Sequence, residues 1–145
     1  MNTTSLNQLV PILQLSIGPV ILISGVGLLL LTLTNRFGRL LDRSRLLNQE
    51  LAQPAADLAG LGAQIDILHR RAGILRFSII LGAMTVLLVA VLILVLFFSA
   101  WLNLEAGLFI VTIFCTGQLC LIGSMLAFIR DMNLALQAVR LEINR

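Results

Sequence analysis

Residues 77–100 contain no ionisable side chain and consist almost entirely of Leu, Ile, Val, Ala and Phe. This run constrains the possible folds of the chain more than any other feature of the sequence. About 20 apolar residues in helical conformation cross the hydrocarbon core of a bilayer. The run therefore predicts a membrane-spanning helix, and we expect the chain to be an integral membrane protein.

Two other segments have the same apolar character, and the three predicted spans cover about residues 13–34, 77–100 and 107–129. Charged residues make up only 12% of the 145 residues, whereas a soluble domain carries about a quarter. Because the spans take up most of the polypeptide, we predict an all-α membrane protein in which residues 1–145 form a single membrane domain.

The basic residues predict the orientation of the chain. All ten are arginines, and they lie either between spans one and two or after span three. Cytoplasmic segments of membrane proteins carry an excess of basic residues. We therefore predict that residues 35–76 and 130–145 are cytoplasmic, and that the N-terminus and the turn between spans two and three face outward.

The cytoplasmic segments carry apolar residues at helical spacing. In 35–76 this pattern forms two stretches, which are separated at Gln53-Pro54. The first stretch has Leu40, Leu47 and Leu51 with Leu41 adjacent, and the second has Leu58, Leu61, Ile65, Leu68, Ala72 and Leu75. We predict a helical hairpin over residues 35–76, in which the two apolar stripes bury each other. We predict that the tail, 130–145, is an amphipathic helix with Met132 on its apolar face and Asp131 on its polar face.

The hairpin also contains a candidate cytoplasmic charge cluster. Its members are Arg36, Arg43, Arg45, Arg70 and Arg71. The simplest interpretation is a solvated helical face, and the alternative is a ligand, lipid or gating site. A nucleic-acid partner is not expected, because the aromatic residues that stack bases all lie in or beside the predicted spans.

Span one collects small and polar residues on one side, largely at intervals of seven residues, which is about two helical turns. This candidate pore or helix-packing face comprises Gln14, Gly18, Gly25, Thr32, Asn35, Arg39 and Asp42. Small residues allow helix backbones to approach closely in a membrane. The same face is also suited to line a narrow, water-filled path, and both interpretations remain open.

Span three carries candidate intramembrane polar contacts on more than one side. These are Thr112, Thr116 and Gln118. Span two offers few polar groups and is predicted to face lipid. A helix with polar groups on opposite sides needs neighbours on both, and one protomer with three helices supplies too few. We therefore predict a homo-oligomer.

The sequence contains no recognisable catalytic arrangement. The predicted spans contain no Asp or Glu, although coupled transporters often use an intramembrane carboxylate. Cys115 and Cys120 stand five residues apart without a nearby histidine, which does not match a metal site. We expect no catalytic, cofactor-binding or metal-binding residues, and we do not expect an enzyme.

Four short motifs carry a family resemblance. Span one contains Gly18-Pro19-Val20, and Asn35-Arg36 stands at its end. The motif Leu-Asp-Arg-Ser-Arg follows at 41–45. The fourth motif, His69-Arg70-Arg71-Ala72, precedes span two. With these motifs the chain resembles the small bacterial membrane family catalogued as domain of unknown function 2721. The resemblance implies a multi-pass protein with three spans in the bacterial inner (plasma) membrane. It implies no established activity.

Two functions fit these features. The first is a homo-oligomeric ion channel or pore lined by the first span. The alternative is a non-transporting membrane scaffold or regulator whose cytoplasmic hairpin binds a partner. The expected partners are the lipid bilayer, further copies of the chain and, in the first case, ions.

Overall fold

The computed structural model describes residues 6–51, 58–102 and 107–143, which form three α-helices. They are α1 (Leu6–Leu51), α2 (Leu58–Leu102) and α3 (Gly107–Ile143). The predicted all-helical architecture is confirmed. The helices are longer than the predicted spans, because the flanking polar segments continue each span in helical conformation.

Each helix contains a segment that is long and apolar enough to cross a membrane. These segments are Ser16–Gln49, Gln64–Leu102 and Gly107–Ala135. They contain 34, 39 and 29 residues, whereas a bilayer core needs about 20. The three predicted spans are therefore confirmed as candidate membrane-spanning helices, and each extends beyond the length that a crossing requires.

The described residues of 35–76 lie in the last part of α1 and the first part of α2, and the hairpin itself stays a prediction. Helix α1 continues from span one to Leu51 and α2 begins at Leu58, while the predicted turn at Gln53-Pro54 lies outside the described residues. On the predicted apolar stripes, Leu40 and Leu47 of α1 are buried, as are Leu68 and Leu75 of α2.

Contacts divide the chain into two compact units. One comprises Met1–Leu30 with Leu81–Ile122, and the other comprises Leu31–Ile80 with Gly123–Arg145. The buried apolar side chains of the first unit include Val26, Val89, Leu92 and Ile113. Those of the second unit include Leu33, Leu40, Leu47, Leu68 and Leu75.

Helix α1 buries residues at seven-residue intervals, but not the series that its small residues mark. The buried positions are Val26, Leu33, Leu40 and Leu47. Gly25, Thr32 and Arg39 stand one residue earlier in each repeat and are exposed. One residue corresponds to about 100° around a helix. The stripe of Val26, Leu33, Leu40 and Leu47 therefore packs within the chain, while the small and polar series next to it stays exposed, as do apolar residues such as Ile21 and Leu28.

The prediction that span two faces lipid is wrong on one side of α2. Ser78 and Thr85 are both fully buried, and their hydroxyl groups donate hydrogen bonds to carbonyl groups of α3. The other side of α2 carries exposed apolar side chains such as Ile80, Leu87 and Leu94. Ser78 and Thr85, two of the few polar residues of α2, therefore lie at its contact with α3.

The predicted orientation of the tail is also wrong at its first residues. Asp131 is 0% exposed, whereas Met132 is 39% exposed. The apolar periodicity of the tail predicts Asp131 on the polar side, but Arg36 of α1 and Arg71 of α2 lie beside its carboxylate and make its burial possible.

Candidate functional site

The candidate site is built around Asp131, a buried carboxylate on α3. The Nε atom of Arg71, on α2, donates a hydrogen bond of 3.1 Å to its Oδ1 atom. The Arg71 side chain is 17% exposed. A hydrogen bond between two charged groups is stronger than one between neutral groups, and this one joins α2 to α3.

Arg36 of α1 approaches the same carboxylate less closely. Its Nη1 atom lies 3.9 Å from Asp131 Oδ2, which is beyond hydrogen-bonding distance. Oδ2 is buried and accepts no hydrogen bond from the described residues. The Arg36 guanidinium instead lies over the Phe128 ring, 5.3 Å from its centroid, and Nη1 contacts the sulfur of Met132.

We refer to these three residues as the Arg36–Arg71–Asp131 cluster. Each comes from a different helix, so the cluster connects all three helices of the second unit. A buried carboxylate is costly unless it is paired and hydrogen-bonded, and Arg71 provides that pairing. Because two guanidinium groups lie beside one carboxylate, the cluster has one net positive charge.

A second polar contact joins α2 and α3 in the same unit. Ser78 Oγ donates to the carbonyl of Ser124 at 2.7 Å, and Ser124 Oγ donates to the carbonyl of Ser78 at 2.8 Å. Both serines are 0% exposed. This reciprocal pair satisfies both hydroxyl donors across the helix contact, where a bilayer offers no alternative partner.

In the first unit, α2 and α3 meet at Thr85 and Gly117. Thr85 Oγ1 donates to the carbonyl of Leu81 in its own helix at 3.0 Å and to that of Gly117 at 3.3 Å. A Cβ atom on Gly117 would lie 3.7 Å from the Cβ of Leu88. This distance is an ordinary van der Waals contact, and the Gly117 carbonyl accepts the threonine hydroxyl across the two helices.

These contacts follow one numbering rule. On α2 the contact residues Arg71, Ser78 and Thr85 are seven residues apart, and on α3 so are Gly117, Ser124 and Asp131. Arg71 contacts Asp131, Ser78 contacts Ser124, and Thr85 contacts Gly117. The residue number rises by seven on α2 as it falls by seven on α3, which is the pattern of an antiparallel helix pair with a heptad repeat.

The structure brings together only part of the predicted charge cluster. Arg36 and Arg71 meet at Asp131, while Arg43, Arg45 and Arg70 are exposed. Sequence reasoning missed Asp131 and the Ser78–Ser124 pair. The available signal was the recurrence of polar or small residues at seven-residue steps on both α2 and α3.

The predicted face of α1 is open in the single chain. All of its members are exposed, namely Gln14, Gly18, Gly25, Thr32, Asn35, Arg39 and Asp42. A Cβ atom built on Gly18 or Gly25 would meet nothing within 4 Å. The face therefore takes no part in the internal packing of the described residues, and its role in a pore or between subunits stays a prediction.

The polar residues predicted to need partners in span three are bonded differently. Thr112 Oγ1 donates to the carbonyl of Leu108, and Thr116 Oγ1 donates to that of Thr112, both at 2.8 Å. Both threonines are exposed, and Gln118 is half-buried. Since the threonine donors are satisfied within α3, they do not require a neighbouring helix, and contact of these residues with another subunit stays a prediction.

Cys115 and Cys120 are free thiols. Across helices α1 to α3, as far as they are described, no group of three or more His, Cys, Asp or Glu residues is arranged to hold a metal ion. The chemistry that the site offers is therefore that of two guanidinium groups and one carboxylate.

One comparison with known proteins identifies a relationship. The family model described as "Protein of unknown function (DUF2721)" matches residues 16–141. No curated protein matches the chain, and no solved structure does.

Proposed function

The chain belongs to the DUF2721 family of proteins of unknown function, and we propose that it is a homo-oligomeric membrane protein whose first helix lines an ion path. The observation that carries the proposal is the exposed face of α1. Every small or polar residue of that face is uncovered in the single chain, in a helix that is long and apolar enough to span a membrane.

The two sides of α1 support this assignment. Large apolar residues such as Val26 and Leu33 are buried against the chain itself. Gly25 and Thr32, one residue earlier, are exposed. Lipid chains give no advantage to small or polar residues, whereas a neighbouring helix backbone or a water-filled path does. Further copies of the chain supply both.

We place residues 35–76 and the C-terminal tail in the cytoplasm, in the inner membrane of a bacterium. The support is the distribution of the arginines, since none precedes span one or separates spans two and three. Arg39 and Asp42 would then stand at the inner mouth of the path. Rings of charged side chains at such positions select ions.

The proposed role is not enzymatic. The one buried carboxylate of the described residues, Asp131, is engaged by Arg71. A general acid or base needs access to a substrate, and Asp131 is 0% exposed.

Ion flux through liposomes containing the purified protein tests the proposal. We expect flux with the natural chain and its loss with Gly25→Leu, because a leucine on the exposed face would fill the path. Gly27→Leu is the matched control, since Gly27 is also exposed with nothing within 4 Å but lies about 200° away around the helix. Absence of flux at any voltage or pH would contradict the proposal.

A specific observation also favours the scaffold alternative. The hairpin helices expose the large apolar side chains of Leu41, Leu46 and Ile67, beside exposed arginines such as Arg45 and Arg70. A surface of this kind suits a protein partner. A chain that passes no ions but retains one soluble partner in equal amount, and loses it with Arg45→Glu, would fit this second role.

A further inference from the structure

We propose that the Arg36–Arg71–Asp131 cluster binds a phosphate group at the membrane surface, with Arg36 as the principal donor. The proposal concerns a binding site at the ends of the membrane-spanning helices. It rests on the three candidate spans and on the geometry of the cluster, and it does not depend on an ion path or on an oligomer.

The first argument is charge balance. Arg36 and Arg71 are 23% and 17% exposed, and the carboxylate that they share is fully buried. The cluster thus holds two positive charges against one negative charge in a partly desolvated position. An uncompensated charge that is removed from water is costly, and an anion at the exposed edge of the cluster would balance it.

The second argument is the set of unused donors on Arg36. A guanidinium group has five N–H donors and no acceptor. The distance of 3.9 Å to Asp131 Oδ2 is too long for a hydrogen bond. The other described contacts of its guanidinium are the Phe128 ring and the Met132 sulfur, and a thioether is only a weak acceptor. Arg36 therefore retains donors for a stronger acceptor.

The third argument is position along the helices. Arg36 follows Thr34, the last residue of the first predicted span, by two residues, and Asp131 follows Ile129, the last residue of the third, by two. Arg71 precedes Phe77, the first residue of the second predicted span, by six. With these span bounds, we place the cluster just beyond the apolar runs, near the level of the lipid phosphates. The planar fork of arginine matches two phosphate oxygens at once.

Arg71 and Asp131 prepare this site. Their hydrogen bond of 3.1 Å holds one guanidinium and one carboxylate oxygen in place. The second oxygen attracts Arg36 over 3.9 Å without consuming its donors. Arg36 is thereby kept at the edge of the cluster with its fork available to a phosphate.

Lipid binding to the purified full-length protein, measured by native mass spectrometry in mild detergent, tests the proposal. The probe is phosphatidylglycerol, and diacylglycerol with the same tails is the control ligand without phosphate. We expect Arg36→Gln to weaken phosphatidylglycerol binding roughly tenfold or more, since a hydrogen bond with a charged partner is lost.

Arg76→Gln is the matched control variant. Arg76 is exposed and directly precedes Phe77, the first residue of the second predicted span, so it removes the same charge near the same membrane surface but outside the cluster. We expect it to change binding less than about twofold, as is usual for an exposed charge. Equal weakening by Arg36→Gln and Arg76→Gln would overturn the proposal, as would phosphatidylglycerol binding no tighter than diacylglycerol.

Inorganic phosphate distinguishes the two sources of the ligand. Displacement of the lipid by millimolar phosphate would assign the site to free phosphate as well, and no displacement would assign it to the lipid headgroup.

Arg36→Lys covers the case in which Arg36→Gln does not fold. Lysine keeps the charge but loses the planar fork, so we expect binding several-fold weaker than that of the natural chain. Unchanged affinity of a folded Arg36→Lys variant would contradict the assignment of the phosphate to the guanidinium of Arg36.

Discussion

Asp131 is the carboxylate that the described part of the second unit buries. It is fully buried, and only a partner with a positive charge makes such a position tolerable. Arg71 donates to one oxygen and Arg36 lies near the other. Removal of the carboxylate charge would leave the Arg71 side chain, which is only 17% exposed, without a negatively charged partner.

We therefore predict that Asp131→Asn lowers the free energy of unfolding by about 3 kcal/mol, the lower end of the range for breaking a buried ion pair. Thermal unfolding in detergent, followed by the loss of helical circular dichroism, measures the change. Asp66→Asn is the control, because Asp66 is an exposed carboxylate on α2 and should cost less than about 0.5 kcal/mol.

The double variant Arg71→Gln with Asp131→Asn sharpens this test. Residues of one ion-pair network interact by about 0.5–3 kcal/mol. The double variant should therefore lose less stability than the sum of the two single variants. Equal effects of Asp131→Asn and Asp66→Asn, with additive double-variant losses, would show that the buried pair contributes little.

Two residues of the cluster could be predicted from the sequence and the third could not. Arg36 and Arg71 were predicted as charged candidates, because arginines at the ends of spans are visible in the sequence. Asp131 was not, since the periodicity of one helix cannot show which side chains another helix presents to it. Burial of a carboxylate depends on a partner 60 residues away.

At the scale of the helices, the polar residues through which α2 and α3 contact each other recur every seven residues. The Ser78–Ser124 pair has two hydrogen bonds between the helices. Hydrogen bonds between membrane helices contribute on average about 0.6 kcal/mol, and at most about 1.7 kcal/mol. The contribution of the pair is therefore modest in energy, but it fixes the register of α2 against α3.

We predict that Ser78→Ala lowers the free energy of unfolding by about 1 kcal/mol, because the hydroxyl group that donates to the Ser124 carbonyl is lost. Ser24→Ala is the control, since the Ser24 hydroxyl is exposed and donates to Val20 in its own helix. Reversible unfolding with increasing SDS in mixed micelles gives both values. A loss for Ser24→Ala as large as that for Ser78→Ala would mean that the contact between α2 and α3 is not what stabilises Ser78.

The elements themselves were largely predictable. Apolar run length gave the three spans, and the beginning of α3 at Gly107 coincides with that of the third predicted span. Leu40 and Leu47, and likewise Leu68 and Leu75, are buried as their spacing predicted. The buried side of α2 was missed, because two hydroxyl groups in an apolar helix say little until the opposing helix is known.

At the scale of the whole molecule, the chain is a three-helix membrane protein in which α1 exposes its small and polar face together with apolar side chains such as Leu28. Asn35 and Asp42 are exposed on that side, as are its glycines. In the proposed assembly these residues meet other copies of the chain. The sequence predicted the face from its seven-residue spacing, but spacing alone does not distinguish an internal contact from one between subunits.

Disulfide crosslinking in native membranes tests this central proposal most directly. Cys115 and Cys120 are first replaced by serine, and a single cysteine is then introduced as Thr32→Cys on the exposed face of α1. Leu87→Cys is the control, because Leu87 is 55% exposed on the apolar side of α2. We predict that mild oxidation crosslinks Thr32→Cys between subunits and leaves Leu87→Cys monomeric. A monomeric Thr32→Cys protein, or equal crosslinking at both positions, would contradict the proposed assembly through α1.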